Sequence, residues 1–293
     1  MSDGFELVRV RNGAWGIRSL AYDEVCHPGV GPRAEAEALY VRGLDLPRRF
    51  GAHAVSGDSR DEFVVWDIGL GGGANAAAVI DAAAASGPGL RVVSFDRSVG
   101  QLEFALRHDA ELACLGALAG PAARLIEDGE VLFQHGNAAV RWTRVLGDFT
   151  VLVALQEPPP WPAPHAILFD PHSPIANPEM WTLPLFQALH GRLDPNRPCG
   201  LATYSRSTAI RASLLLAGFV VGAGGSTGAK EETTLAANRL EWVGRPLDAR
   251  WLERARRSRA AEPWTTPPFG GRPLSDATWE CLRNQPQFRI TPG

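Results

Sequence analysis

The stretch Asp67-Ile68-Gly69-Leu70-Gly71-Gly72-Gly73-Ala74-Asn75 stands between an apolar run, Phe63 to Asp67 (FVVWD), and an alanine-rich segment, Ala74 to Ala85. The run reads as a buried strand and the segment as a helix closed by Gly87. The glycines then form the turn where backbone can approach a ligand and a helix N-terminus faces it. Outward from this turn the pattern repeats as short apolar runs alternating with helices, which marks a parallel sheet with crossover helices. Arg91 to Asp96 (RVVSFD) is the next strand, followed by a helix from Val99 to Cys114 and a short one from Ala122 to Glu127. Arg141 to Gly147, His165 to Asp170 (HAILFD) and Gly200 to Tyr204 continue the strands. Helices are expected at Thr150 to Gln156, before Leu193 and at Thr208 to Ala217, with a proline-rich connector at Pro158 to Pro164. Phe219 to Ala223 and Thr233 to Ala237 read as an antiparallel hairpin.

On this reading residues 1–60 form an N-terminal extension packed on the core, with strand-like pieces at Phe5 to Val10 and Gly16 to Ala21 and a helix at Pro32 to Leu44. Residues 61–244 form the main domain. Residues 245–293 hold an arginine-rich helix (Arg250 to Ala260) and a Pro/Gly-rich tail draped over the surface. The 293 residues are 45% hydrophobic and 21% charged, close to globular averages, and contain no stretch suited to a bilayer span. The acidic N-terminus lacks a signal-peptide core. Cys26, Cys114, Cys199 and Cys281 are far apart without a CxxC pair, so neither a zinc site nor a disulfide framework is expected. The expectation is a reduced, cytoplasmic protein with no metal and no membrane partner. A net charge of −3 neither demands nor excludes RNA. Lys230 is the single Lys among 29 basic residues.

Two chemistries compete for the glycine turn. Gly69-x-Gly71-x-x-Ala74, with Asp96 about 20 residues on, fits the dinucleotide fingerprint in which the acid takes ribose hydroxyls. Asp67 argues otherwise, because dinucleotide folds usually keep an apolar residue two before the first glycine whereas adenosylmethionine folds resemble D-x-G-x-G. A carboxylate there can act through water or backbone on the amino-acid end of S-adenosyl-L-methionine. The turn therefore favours a methyltransferase over an NAD-dependent oxidoreductase, with a ligand-free turn as a third reading. The second glycine cluster, Gly222 to Gly228, precedes a strand rather than a helix and reads as a hairpin loop.

In an open α/β sheet the ligand lies beyond the carboxyl ends of the central strands, so Asp170 should face the same crevice as Gly69 to Gly73. A carboxylate there suits a substrate amine, which it can bind, orient for in-line attack and relieve of a proton. Asn177-Pro178-Glu179 also reads as a helix start. Trp181 is either core or a platform for a nucleobase, and His172 either a base or a polar loop residue. Arg250, Arg254, Arg256, Arg257 and Arg259 could track a phosphate backbone or simply be solvated.

The run FD-PHSPIA-NPEMW-TLPLF resembles the D-G-F-x-P-x-x-NP-[DE]-MW signature of the methyltransferase part of the MnmC family, which completes 5-methylaminomethyl-2-thiouridine at the tRNA wobble position. Other pieces agree in order: D-x-G-x-G-x-G-x-N at Asp67 to Asn75, the S-F-[DE] strand end at Asp96, Gly147-Asp148, L-A-T-Y-S at Leu201 to Ser205, and G-x-K-x-E around Lys230. The resemblance spans roughly Tyr22 to Asn238. It implies an α/β class I methyltransferase (Rossmann-like) fold, with a mostly parallel seven-stranded sheet, a C-terminal antiparallel hairpin and the N-terminal extension. It also implies that Gly69, Gly71, Gly73, Asp67 and Asn75 surround the methionine portion of S-adenosyl-L-methionine, Asp96 takes the ribose, Asp148 the adenine amine, and Asp170 is catalytic. His172, Trp181 and Lys230 are the candidates for substrate contact, and tRNA is the expected substrate. Pro171-His172 replaces the family's Gly-Phe, which bears on the methyl acceptor. No second fingerprint for the oxidase half of bifunctional members is found. Further readings are a small-amine methyltransferase, an oxidoreductase, or a non-catalytic S-adenosyl-L-methionine-binding protein.

Overall fold

The computed structural model describes residues 4–27, 29–55, 62–85, 87, 89–155, 159–227 and 231–289. Three short strands, β1 (Phe5–Arg9), β2 (Trp15–Ser19) and β3 (Glu24–Val25), form an antiparallel sheet of their own. The main sheet holds β4 (Phe63–Ile68), β5 (Leu90–Asp96), β6 (Glu130–His135), β7 (Ala138–Leu146), β8 (Ala166–Phe169), β9 (Gly200–Thr203), β10 (Val220–Gly224) and β11 (Thr233–Ala237). Its order is β10-β11-β9-β8-β4-β5-β7-β6. The five strands from β9 to β7 run parallel, and β11, β10 and β6 are antiparallel to their neighbours.

Eight strands rather than seven make this sheet, and the addition is β6. It pairs with β7 around a two-residue turn at Gly136 and Asn137, and only Val131 in it is buried. An edge strand with one solvated face carries too weak an apolar run to stand out in sequence.

Side chains alternate between the two faces of the central strands. Val65, Val92, Leu168 and Ala202 point to one face, where Leu39, Tyr40 and Phe50 of the N-terminal segment cover them. Trp66, Val93, Phe95, Phe169 and Leu201 point to the other, covered in part by Trp251, Leu252 and Leu282. The segment beyond 245 is therefore not simply draped: helices at Ala249–Arg257 and Asp276–Arg283 seal that second face. The first of them buries Trp251, Leu252 and Ala255 and leaves Arg250, Arg254 and Arg257 exposed, while Arg256 pairs with Asp276 at 2.6 Å. Helix Leu46–Val55 is a further element that no sequence signal marked.

The expected helix from Pro32 begins as Pro32–Ala36 and widens into one π-helical stretch, Glu37–Arg42. Such widenings insert a residue and re-aim side chains, and they recur at functional sites. Here the stretch carries Tyr40 inward, fully buried, toward the end of β4.

Candidate active site

Where β4 ends, the chain turns over the sheet. The amides of Gly69 and Leu70 both donate to the Phe95 carbonyl, at 3.0 and 3.1 Å. Gly69, Gly71 and Gly73 all have positive φ, and Gly73 caps helix Ala74–Ala83 from a left-handed conformation. At the end of β5, Asp96 accepts from the Gly71 amide at 3.0 Å and from the Arg97 amide at 2.7 Å. This acid braces the glycine loop while it lines the adjoining cavity of about 450 Å³.

Asp67 lies beneath the loop and is fully buried. Its Oδ2 accepts from Ser94 Oγ at 2.7 Å, and Ser94 Oγ in turn accepts from Trp142 Nε1 at 2.9 Å. Oδ1 has no hydrogen-bond partner. Burial pushes the Asp67 carboxyl up to about 8; the Ser94 bond opposes this, while Asp170 and Asp96 add to it. In the folded protein this acid keeps its proton across a range where the unfolded chain, with an ordinary value of 3.8, has lost it. Its contribution to stability is thus present below that ordinary value and is lost as pH rises through the folded one. Asp67→Asn, which cannot ionise, is expected to gain thermal stability over wild type steadily between about pH 4 and pH 8. Paired melting curves check it, and a pH-independent difference would refute the assignment.

Asp170 follows β8, and its amide donates to the Ile68 carbonyl at 2.9 Å, which sets it beside Gly69. Its Oδ2 accepts from Asn75 Nδ2 at 2.7 Å. Asn75 is buried in the first turn of helix Ala74–Ala83, and its Oδ1 has no partner. His27 Nε2 lies 3.7 Å from the same Asp170 oxygen. Tyr40 is packed beside Asp170, and burial, then the Asp170 charge, hold its hydroxyl well above its ordinary range. Tyr204 donates to the Pro171 carbonyl at 2.8 Å and fixes the start of the loop.

His172 also lines the cavity, stacked on Tyr22 with ring centroids 3.9 Å apart. Its Nδ1 lies 3.6 Å from Glu24 Oε2, which accepts from the Ser173 amide at 2.9 Å. Burial works to raise the Glu24 carboxyl, but the His172 and Ser173 contacts outweigh it and hold the group below its ordinary range. The N-terminal segment thus supplies one wall of the cavity through Tyr22, Glu24, Cys26 and His27. Sequence reasoning missed these residues; Glu24 and His27 stand in no motif of their own, and Tyr22 only marks where the resemblance begins.

Three sequence expectations fare differently. Trp181 is 1% exposed, meets Phe169 and Tyr204 edge-on, and donates its indole N–H to the His172 carbonyl at 2.9 Å. It is core rather than a stacking platform, because the short 3-10 turn Pro178–Trp181 folds it inward. Trp181→Phe keeps an aromatic ring but loses that bond, and is expected to lower unfolding free energy by about 1–2 kcal/mol in urea titration. Asp148 is the second case. It caps helix Phe149–Ala154 through Thr150 and pairs with Arg97 Nη2 at 2.7 Å. Burial would raise it, but the Thr150 and Arg97 contacts bring it below its ordinary range. Gly147 and Phe149 line the cavity on either side of it. Lys230, the third, lies outside the described residues.

Among the described residues no cluster of three or more His, Cys, Asp or Glu side chains is arranged to hold a metal ion, and no helix is long and apolar enough to cross a membrane. A glycine turn whose backbone borders the cavity, an acid closing the next strand and an unpartnered buried acceptor on Asn75 fit a ligand carrying a carboxylate, an ammonium and a ribose. With the parallel sheet, they define a class I S-adenosyl-L-methionine-dependent methyltransferase. Residues 129–239 match the family described as S-adenosyl-L-methionine-dependent methyltransferase.

Within that class the chain is MnmC-like. It is 30% identical over 212 residues to the tRNA 5-methylaminomethyl-2-thiouridine biosynthesis bifunctional protein MnmC of Paraburkholderia phymatum, covering 69% of this chain and 30% of that protein. The MnmC of Ralstonia nicotianae is 30% identical over 256 residues, with 80% and 35% covered. The chain spans about a third of the length of these curated relatives. The crystal structure of MNMC2 from Aquifex aeolicus shares the fold, with a TM-score of 0.67 at 19% identity over 96% of this chain and 84% of that one.

Proposed function

We propose that this chain methylates an amine, and that the leading acceptor is the 5-aminomethyl group of the wobble uridine of tRNA. The observation that carries the reading is Asp170, a carboxylate held by Asn75 at the cavity edge, immediately beside the glycine loop. When bound, S-adenosyl-L-methionine supplies an electrophilic methyl group on a sulfonium. The backbone of the Gly69 to Gly73 turn would flank its amino-acid end, with Asn75 toward the ammonium, Asp67 acting from beneath through the turn, and Asp96 toward the ribose. The adenine would lie toward Gly147 and Phe149, with Asp148 at its edge. Asp170 binds the acceptor as an ammonium, takes a proton from it and keeps the nitrogen lone pair in line. His172 lines the approach to Asp170. Lys230 is assigned to contact with the acceptor by the resemblance alone. The names of the MnmC relatives support tRNA as the acceptor. The extension, the main domain and the C-terminal segment, with boundaries near 60 and 245, are proposed as one working unit.

The test is transfer of label from S-adenosyl-L-methionine into bulk tRNA from cells lacking the gene. Label in a wobble uridine supports the reading, and transfer should weaken steeply with added salt because the phosphate backbone dominates tRNA affinity. Absence of label, with cofactor binding intact by calorimetry, removes tRNA and turns the search to small primary amines. The Tyr22–His172 stack favours that second reading, since two rings already satisfied by each other line the cavity beside Asp170.

A further inference from the structure

His27 is held between two carboxylates. Its Nε2 lies 3.7 Å from Asp170 Oδ2, and its Nδ1 lies 3.8 Å from Glu35 Oε2. All three side chains are largely buried, at 16, 13 and 8% exposure for His27, Asp170 and Glu35, and all three residues line the cavity. Glu35 comes from the short helix Pro32–Ala36 and Asp170 from the end of β8, so the alignment is tertiary. The His27 backbone has φ 53, a left-handed conformation uncommon outside glycine. Conformations of that kind persist where the surroundings over-determine them, and they gather at active sites.

We propose that His27 relays the proton that Asp170 takes from the substrate ammonium to Glu35, a second carboxylate lining the same cavity. The inference rests on the amine reading above. One proton leaves the ammonium nitrogen for an Asp170 oxygen, then moves to Nε2 of neutral His27, while the Nδ1 proton leaves for Glu35. The amine is left neutral with its lone pair available, and His27 is left as its Nε2–H tautomer; the relay resets only when Glu35 has released the proton and the ring has regained the Nδ1–H form by a flip or by proton exchange through water in the cavity. His27 acts through Asp170 and is a positioning residue.

Beside Asp170, the His27 ring is placed to take up a proton where four other nearby groups are not. Tyr40 and Tyr204 are held well above their ordinary range by burial and then by Asp170, so they keep their protons. Burial likewise pushes the Cys26 thiol up to about 12 and Asp67 up to about 8. A neutral imidazole always presents one open ring nitrogen. The separations exceed hydrogen-bond length, as is common before substrate tightens a site.

Two variants test it. His27→Asn tolerates a left-handed backbone and cannot relay a proton, while His27→Gly fits the same backbone and leaves the ring's volume empty. Both are compared with wild type for melting temperature and for S-adenosylhomocysteine affinity by calorimetry, and both measurements are expected to match. Methyl transfer is then measured on undermodified tRNA and on a panel of small primary amines. At pH 7, His27→Asn is expected to be slower by about 30–100-fold. That defect should shrink as pH approaches about 10, where an alkylammonium loses its proton unaided. Imidazole added to His27→Gly should restore the rate by about tenfold or more. A His27→Asn rate within about threefold of wild type at pH 7, or a defect equal at every pH with no imidazole rescue, overturns the relay. Failure of wild type on every amine would bring down the amine reading and the relay with it. That outcome is visible before any variant is made.

Discussion

Asp170→Asn is expected to slow methyl transfer by about 10³-fold, within the range general-base catalysis supplies, while leaving S-adenosyl-L-methionine affinity within about threefold. The side chains are nearly the same size, and the amide oxygen of Asn can still accept from Asn75 Nδ2, which donates to Asp170 Oδ2 at 2.7 Å. What disappears is the negative charge that holds an ammonium and the capacity to take its proton. Asp170→Ala would also leave the buried Asn75 amide without its partner, so it mixes chemistry with local repacking. Single-turnover label transfer measures the first effect and calorimetry the second. If Asp170→Asn retains more than about a tenth of the wild-type rate, Asp170 is not the base, since one-tenth corresponds to only about 1.4 kcal/mol.

Gly69→Ala is expected to weaken S-adenosyl-L-methionine binding by about 10–100-fold and to lower thermal stability, in line with about 1–3 kcal/mol of local strain. Gly69 has φ +100, where L side chains are rarely found, and a Cβ there would stand 2.6 Å from the Asp170 carbonyl oxygen. Neither party is a flexible side chain. The ends of β4 and β8 would have to separate, and the glycine turn would shift with them. Gly71→Ala is the control: at φ +51 its Cβ would meet only the Gln101 amide, at 3.4 Å, so a milder loss is expected. Equal losses in the two variants would show that the amide positions, rather than the Gly69–Asp170 approach, limit binding.

The parallel centre of the fold was legible because strands buried on both faces are written as unbroken apolar runs. FVVWD, RVVSFD and HAILFD all fall on observed strands. The glycine turn and Asp170 were legible for a related reason, since the carboxyl ends of such strands are where ligands sit. β6 was not, because its apolar residues are few and half solvated. Trp181 stays open between core and platform in the sequence because an indole beside a functional motif can pack inward as readily as outward; its burial and its hydrogen bond to the His172 carbonyl place it in the core. Glu24, His27, Glu35 and Tyr40 come from short, irregular pieces whose local periodicity says nothing about which strand end they will meet. Their bearing on Asp170 exists only once the extension has folded across the sheet.

The bond from the Ser173 amide to Glu24 joins positions 149 residues apart in the chain. Contacts of such sequence separation are entropically costly to close and tend to form after local ones. On a growing polypeptide, Tyr22, Cys26 and Arg33 can meet Arg97, Gln101 and Asp81 early, but the contacts of Glu24 and His27 with Ser173 and Asp170 must wait until β8 and the loop beyond it have been made. The glycine turn, built from neighbouring segments, is free to take shape earlier. The half of the crevice that recognises the methyl donor is therefore an early product of folding, and the half that faces the acceptor is a late one, completed by the part of the chain that was synthesised first.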